Sequence, residues 1–446
     1  MNNEPNSTVQ NTHPTHVDPS KLSDQLQFNA HTGHLQCEGA DLALLAEQFG
    51  TPLYVYSAHS IRAAYQAYAK ACEGLADVTI CYAIKANSNI HLLRMLAEEG
   101  AGFDLVSAGE LARVLAAGGN PAKAVFAGVG KSTAEMEYAI EMGVGCFNVE
   151  SAAEMERIGQ VAQRLQRKVK VSVRVNPDVD AKTHPYISTG LKENKFGVSM
   201  AVAPSVYAFA QAHPWLEVHG IDCHIGSQLT DPSPYFDALN RVLALLNTLA
   251  TQHIHINHLD LGGGIGIRYQ NETPPKPADV LPQLIDRVRQ WANTQQRAMP
   301  SVSFEPGRSI VGNAGVLLTQ VEYIKENEGK HFAIVDAAMN DLMRPTLYEA
   351  FHGVVEVKSR SQAPAQTYDL VGPVCESGDW LAKNRTLAIE QGDLLAILSA
   401  GAYGMTMASN YNSRGRAAEV LIDKGQARLI RRRETIEDQL RAEREV

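Results

Sequence analysis

Eight short runs of β-branched or apolar residues constrain this chain more than any other feature. They cover residues 78–84, 103–107, 124–128, 146–150, 169–175, 216–225, 256–263 and 301–307. Helical patterns lie between them, clearest over residues 90–99, 109–117, 134–142 and 152–165. Strands alternating with helices build parallel sheets, and eight of them over about 250 residues close naturally into a (β/α)8 barrel. A doubly wound open sheet is the other arrangement that such a pattern permits.

Past residue 310 the texture changes. Strand-like runs at 315–324, 332–337, 353–357, 367–371, 393–398 and 418–423 follow one another without long helices between them, as in an antiparallel β domain. Residues 1–24 carry few large apolar side chains and are expected to form a mobile tail. The expected organisation is a barrel over residues 50–310 and a mostly antiparallel β domain built from 25–49 and 311–446.

Composition excludes several classes of function. With 40 Lys+Arg against 49 Asp+Glu the net charge is −9, which provides no cationic face for nucleic acid or an anionic membrane. No stretch reaches the roughly 18 consecutive apolar residues of a membrane-spanning helix. Residues 1–20 are not basic then apolar, so the expected compartment is the cytoplasm. Cys37, Cys72, Cys81, Cys146, Cys223 and Cys375 form no C-x-x-C pair, which leaves zinc frameworks and disulfide scaffolds unsupported.

Barrel enzymes carry their chemistry at the C-terminal ends of the strands. The first run ends Tyr82-Ala83-Ile84-Lys85-Ala86-Asn87. A lysine in partly apolar surroundings has its ammonium form disfavoured, as a Schiff-base nucleophile requires, although these residues alone read first as a surface lysine. The sixth run ends His224-Ile225-Gly226-Ser227-Gln228, a flat imidazole followed by a hydroxyl. The seventh ends Gly262-Gly263-Gly264, where backbone N–H groups can approach a phosphate. The eighth ends Glu305-Pro306-Gly307-Arg308, and beyond it lie Arg344, Tyr348, Cys375-Glu376-Ser377-Gly378-Asp379 and Gly401-Ala402-Tyr403. An imine-forming lysine, a phosphate cradle, a stacking ring and a carboxylate for a ring nitrogen together describe a pyridoxal phosphate site.

In this order, from about residue 25 to the C-terminus, the motifs resemble those of the diaminopimelate decarboxylases. These are barrel-fold pyridoxal phosphate enzymes related to the ornithine and arginine decarboxylases. The resemblance implies an alanine racemase-like fold, a barrel plus β domain, and conversion of meso-2,6-diaminopimelate at its D-configured centre to L-lysine and CO2. It makes Lys85 the residue that carries the cofactor, His224 the ring that stacks on it and Glu305 the partner of the pyridine nitrogen. Ser227, Tyr403, the backbone of Gly263 and Gly264, and the Pro306-Gly307-Arg308 turn would hold the phosphate. Arg308, Arg344, Tyr348, Glu376 and Tyr403 would bind the substrate, and Cys375 would be the acid that reprotonates the product carbon. It further implies a homodimer in which Cys375 and Glu376 act in the partner's site. Ser188 to Gly197 resembles the diaminopimelate version of the loop after strand five, and Glu376 stands where ornithine-type enzymes tend to carry Asp.

Competing readings attach to several of these residues. His253, His255 and His258 lie close together in one stretch, the first two on alternate positions, but at the bottom of the barrel and without accompanying carboxylates, so no metal is expected there. His31 and His34 read as a solvated turn, and the charged stretch 434–445 as a solvated helix. Asp104 and Glu110 follow the second run and are expected to support the Lys85 region. The alternative substrates are those of the polyamine pathway, ornithine or arginine. An amino-acid racemase is disfavoured by Glu305, and a non-catalytic carrier by the complete second domain.

Overall fold

The computed structural model describes residues 17–75, 77–180, 190, 194–358 and 364–446. All eight expected strands form: β1 (Val78–Ala83), β2 (Gly102–Leu105), β3 (Ala124–Phe126), β4 (Cys146–Val149), β5 (Val169–Asn176), β6 (Leu216–Asp222), β7 (His258–Asp260) and β8 (Ser301–Phe304). Each pairs in parallel with the next, and β8 returns to β1 through Val302 opposite Val78, so the sheet is a closed (β/α)8 barrel. Closure removes the unpaired edges that a doubly wound sheet would leave. Its core contains the buried Tyr82, Phe103, Phe126, Phe147, Val173, Ile221, Leu259 and Val302.

Helix starts follow local chemistry. Ser107, Ser132 and Ser151 each accept a backbone N–H three residues on, from Glu110, Glu135 and Glu154, and so cap the helices after β2, β3 and β4. Such caps are worth about 1 kcal/mol each. β6 and β7 stop short of their apolar runs because the chain must turn there: the Cys223 N–H bonds the Asp260 carbonyl, and Gly262 takes a left-handed φ of 66°. The residues released at those ends are the ones that face the cavity.

The second domain is a mixed sheet built around the long strand Gly315–Asn327. Here the structure departs from the expected division. Leu53–Ser57, in the stretch assigned to the barrel, lies in this sheet, antiparallel to Gly315–Asn327 and parallel to Ala418–Asp423. All five of its residues are buried, so its apolar pattern does not distinguish it from a barrel strand. The next helix, Ala58–Cys72, packs against the barrel helix Pro277–Thr294. Trp380–Leu387 and Gln426–Arg431 are further strands, unmarked in the sequence because polar residues break up their apolar runs.

The expected tail also ends earlier than residue 24. Val17 and Leu22 are buried in a second hydrophobic cluster with Leu26, Leu35, Leu53 and Val420, and Asp18 caps a turn at Pro19–Lys21. The short strands Leu26–Phe28, Leu35–Cys37 and Ala40–Asp41 form a small sheet of their own. Residues 1–16, and most of the loop from Ser188 to Glu193, lie outside the described residues. No helix among the described residues is long and apolar enough to cross a membrane.

Candidate active site

The C-terminal ends of β1, β6, β7 and β8 converge with two loops of the β domain around a cavity of about 240 Å³. Ala83, Lys85, His224, Ser227, Gly264, Ile265, Glu305, Gly307, Arg308, Arg344, Tyr348 and Tyr403 line it. Most of the side chains picked out from sequence thus meet in one place. The domains are stitched together there by the Tyr403 N–H on the Ala86 carbonyl at 2.8 Å and by Asn87 Nδ2 on the Gly401 carbonyl at 3.1 Å. Tyr403 itself has φ 56°, a strained value for a non-glycine residue that the surrounding contacts impose.

Lys85 occupies the single turn Ile84–Ala86 after β1. Its Nζ donates to Asp104 Oδ2 on the neighbouring strand. The expectation that the ammonium would be disfavoured is therefore corrected. Burial does oppose the charge, but the carboxylates of Asp104 and Glu305 outweigh it and hold the Lys85 pKa above its ordinary value. Asp104 thus fills the supporting role expected of it. Glu110 accepts the Val106 N–H at 2.7 Å, and burial pushes its carboxyl up to about 6.

Beneath Lys85 lies a floor of buried carboxyls that sequence reading missed in part. Glu305, Asp260 and Asp222 each place an oxygen within 4.8 Å of the others. Burial raises the pKa of Glu305 and Asp222 most; repulsion follows, from Asp104 and then Asp260 on Glu305, and from Asp260 on Asp222. Burial likewise raises Asp260, with the neighbouring Asp104 adding to it. Arg174 on β5 stands 3.8 Å from Asp222 and 3.0 Å from Glu150. One oxygen each of Glu305, Asp104, Asp222 and Asp260 is buried without a hydrogen-bond partner. An orphaned carboxylate oxygen in such a place is costly unless a donor arrives, and a protonated pyridine nitrogen is such a donor. The signal for Asp222 and Asp260 was their position near the end of otherwise apolar runs.

The remaining walls also fit pyridoxal phosphate. His224 Nδ1 accepts the Gly263 N–H at 3.2 Å, which puts the proton of the neutral ring on Nε2. Burial, with Arg174 and Lys85 nearby, keeps the His224 pKa well below its usual value, so an uncharged flat ring is presented. Gly264 has φ 113°, and a Cβ there would lie 2.2 Å from the Gly226 carbonyl oxygen; one on Gly263 would lie 2.0 Å from that of Glu305. Only glycines allow this backbone to lie so close, and the resulting loop is open to a phosphate. Pro306 accepts the Ala83 N–H through its carbonyl, which ties the Gly307 turn to β1.

Two guanidiniums face the same space. Arg308 donates to Tyr269 Oη at 2.6 Å and to Ser227 Oγ at 3.1 Å, and lies 4.9 Å from the centre of the Tyr403 ring. Arg344 donates to His352 Nε2 at 2.9 Å and lies 4.8 Å from the centre of the Tyr269 ring. Tyr269 and His352 had not been singled out; nothing local in the sequence marks them. Cys375 and Glu376, by contrast, sit on an exposed loop and do not line this cavity. The Cys375 N–H bonds Asn412 Oδ1 at 3.0 Å, and Tyr411 donates to Glu376.

Comparison with known proteins agrees with this geometry. Residues 58–312 match the sequence model of the pyridoxal-dependent decarboxylases, pyridoxal binding domain. The diaminopimelate decarboxylase of Pseudomonas aeruginosa is 57% identical over 411 residues, covering 92% of this chain and 97% of that protein. The crystal structure of the Helicobacter pylori diaminopimelate decarboxylase complexed with L-lysine superposes with a TM-score of 0.85 at 43% identity, over 91% of this chain and all of that one. That of the M. jannaschi diaminopimelate decarboxylase gives 0.89 at 38% identity, over 94% and 98%. The chain belongs to the pyridoxal-dependent decarboxylases, in the family of the diaminopimelate decarboxylases.

Proposed function

We infer that the chain decarboxylates meso-2,6-diaminopimelate at its D-configured centre, releasing CO2 and L-lysine in the last step of lysine biosynthesis. The observation that carries this reading is that Lys85, the orphaned Glu305 and two guanidiniums share one cavity. The partners described for Arg308 and Arg344 are all neutral: Ser227, Tyr269, Tyr403 and His352. Their charges remain available to an anionic ligand, and a dicarboxylic amino acid retains a carboxylate for them after its other carboxylate reacts.

The cofactor would be held by Lys85 at Nζ, His224 on the ring face, Glu305 at the ring nitrogen, and Gly263, Gly264, Ser227, the Pro306-Gly307-Arg308 turn and Tyr403 at the phosphate. When bound, pyridoxal phosphate supplies the electron sink that accepts the electron pair left by CO2. Asp104 Oδ2 accepts a hydrogen bond from Lys85 Nζ and would take up the proton that the amine must release to act as a nucleophile. The clustered carboxyls of Glu305, Asp260 and Asp222 repel one another and so favour a proton or a cation beside them; the unpartnered Glu305 oxygen would accept from, and so favour, a protonated ring nitrogen. Arg308, Arg344 and Tyr348 orient the substrate through its unreacting end.

Cys375 as the acid for the product carbon and Glu376 as the partner of a substrate ammonium come from a second copy of the chain, in a homodimer. What supports this is that within one chain both are exposed and neither lines the cavity, while their loop is well braced. Asp379 accepts the N–H groups of Met339 and Val374, both at 2.7 Å. The substrate assignment is tested by mass spectrometry after the loaded enzyme meets an equimolar mixture of meso-diaminopimelate, ornithine, arginine and lysine. Lysine should form at the expense of diaminopimelate; putrescine, agmatine or cadaverine would overturn the assignment.

A further inference from the structure

Tyr269 and His352 are buried, lie far apart in sequence and touch neither Lys85 nor the glycine loop through any bond described above, yet they grip the two guanidiniums of the cavity. Tyr269 stands on a turn whose backbone is fixed from two sides: its N–H bonds Glu272 Oε2 at 2.9 Å, and Gln228 bonds both the N–H and the carbonyl of Ile267. Its hydroxyl accepts from Arg308 Nη1 while Arg344 lies over its ring. His352 is fully buried and donates from Nδ1 to the Leu398 carbonyl at 2.8 Å, which leaves Nε2 as an acceptor for Arg344 Nη1. Its ring meets that of Tyr269 edge-on at 5.4 Å, and Arg385 fixes its carbonyl. Burial and the neighbouring Arg344 push the imidazole down to about 3, so it stays an acceptor throughout the neutral range.

A carboxylate in either place would also orient a guanidinium, but it would cancel the charge a ligand needs. A phenol and a neutral imidazole orient without cancelling it. We propose that Tyr269 and His352 are positioning residues that aim Arg308 and Arg344 at the carboxylate remote from the reacting centre, and so set the preference for a dicarboxylic amino acid over a monocarboxylic one. This rests on the reading of the two arginines as substrate residues given above.

The test is calorimetric binding of L-lysine, which retains that carboxylate, and of cadaverine, which lacks it, to cofactor-loaded enzyme. Tyr269→Phe and His352→Leu should each weaken L-lysine by about tenfold or more, the loss of one charged hydrogen bond, and leave cadaverine and the cofactor spectrum unchanged. KM for diaminopimelate should rise in step while kcat changes little. His352→Gln, whose amide oxygen can accept from Arg344, should recover much of the L-lysine affinity. Equal losses of both ligands, or no difference between His352→Leu and His352→Gln, would reduce His352 to packing and overturn the proposal. Unchanged L-lysine affinity in Tyr269→Phe or His352→Leu, with Arg344→Met still impaired, would overturn it while leaving the arginine reading intact. Unchanged affinity in Arg344→Met would overturn that reading itself.

Discussion

Lys85 Nζ and Asp104 Oδ2 are in direct contact across β1 and β2, where Ala83 and Asp104 are paired in register. The contact favours a charged resting form of Lys85 over a neutral one. Its amine becomes nucleophilic only after a proton moves toward a carboxylate already in place.

Replacing Asp104 by Asn removes the largest influence raising the Lys85 pKa. The amine then deprotonates at lower pH. The pH at which the visible absorbance of attached pyridoxal phosphate is half-developed should move down in Asp104→Asn. A midpoint that stays in place or moves up would contradict the role of Asp104.

The carboxyl floor predicts a pH dependence of stability with a definite sign. Glu305 and Asp222 have pKa values raised well above those of exposed carboxyls, and Asp260 is also raised. The folded state therefore binds more protons than the unfolded one above about pH 4, and stability is lost as pH rises from there through the raised values. Glu305→Gln deletes one member of the cluster. Thermal unfolding of the cofactor-free protein should show a shallower fall in Tm with rising pH in the variant, while turnover of the loaded enzyme falls by about 100-fold or more. An unchanged slope would mean that the three carboxyls do not share protons.

Gly264→Ala introduces a Cβ 2.2 Å from the Gly226 carbonyl oxygen at a left-handed φ of 113°. The loop must shift, and cofactor affinity should fall by about tenfold or more, with a cost in stability of about 1–3 kcal/mol. Equilibrium dialysis of pyridoxal phosphate checks the first and chemical denaturation the second. Wild-type affinity would remove this loop from the phosphate site.

The proposed sharing of the site between two copies of the chain predicts complementation. Lys85→Ala and Cys375→Ala chains should each be inactive, yet refolding them together should restore up to about a quarter of wild-type activity, because half the dimers are hybrids and one of the two sites in each is whole. Hybrids shown to form by tag capture, but inactive, would place Cys375 in its own chain's site or outside catalysis.

Much of this architecture was legible because barrel strands advertise themselves twice, by an apolar run and by the polar residue that ends it. Lys85, His224 and Glu305 were found by that rule. Leu53–Ser57 escaped it, since a fully buried strand looks the same in either sheet and only pairing with Gly315–Asn327 reveals where it belongs. The charge state of Lys85 was hidden because Asp104 reaches it across a strand pair, not along the chain. Tyr269 and His352 were invisible for a similar reason: a lone tyrosine and a lone histidine acquire meaning only through the arginines they hold.

Chiral analysis of the product from meso-diaminopimelate tests the assigned reaction most directly. The enzyme should consume the meso isomer to yield L-lysine alone and leave the LL isomer untouched. D-lysine, or consumption of the LL isomer, would contradict attack at the D-configured centre.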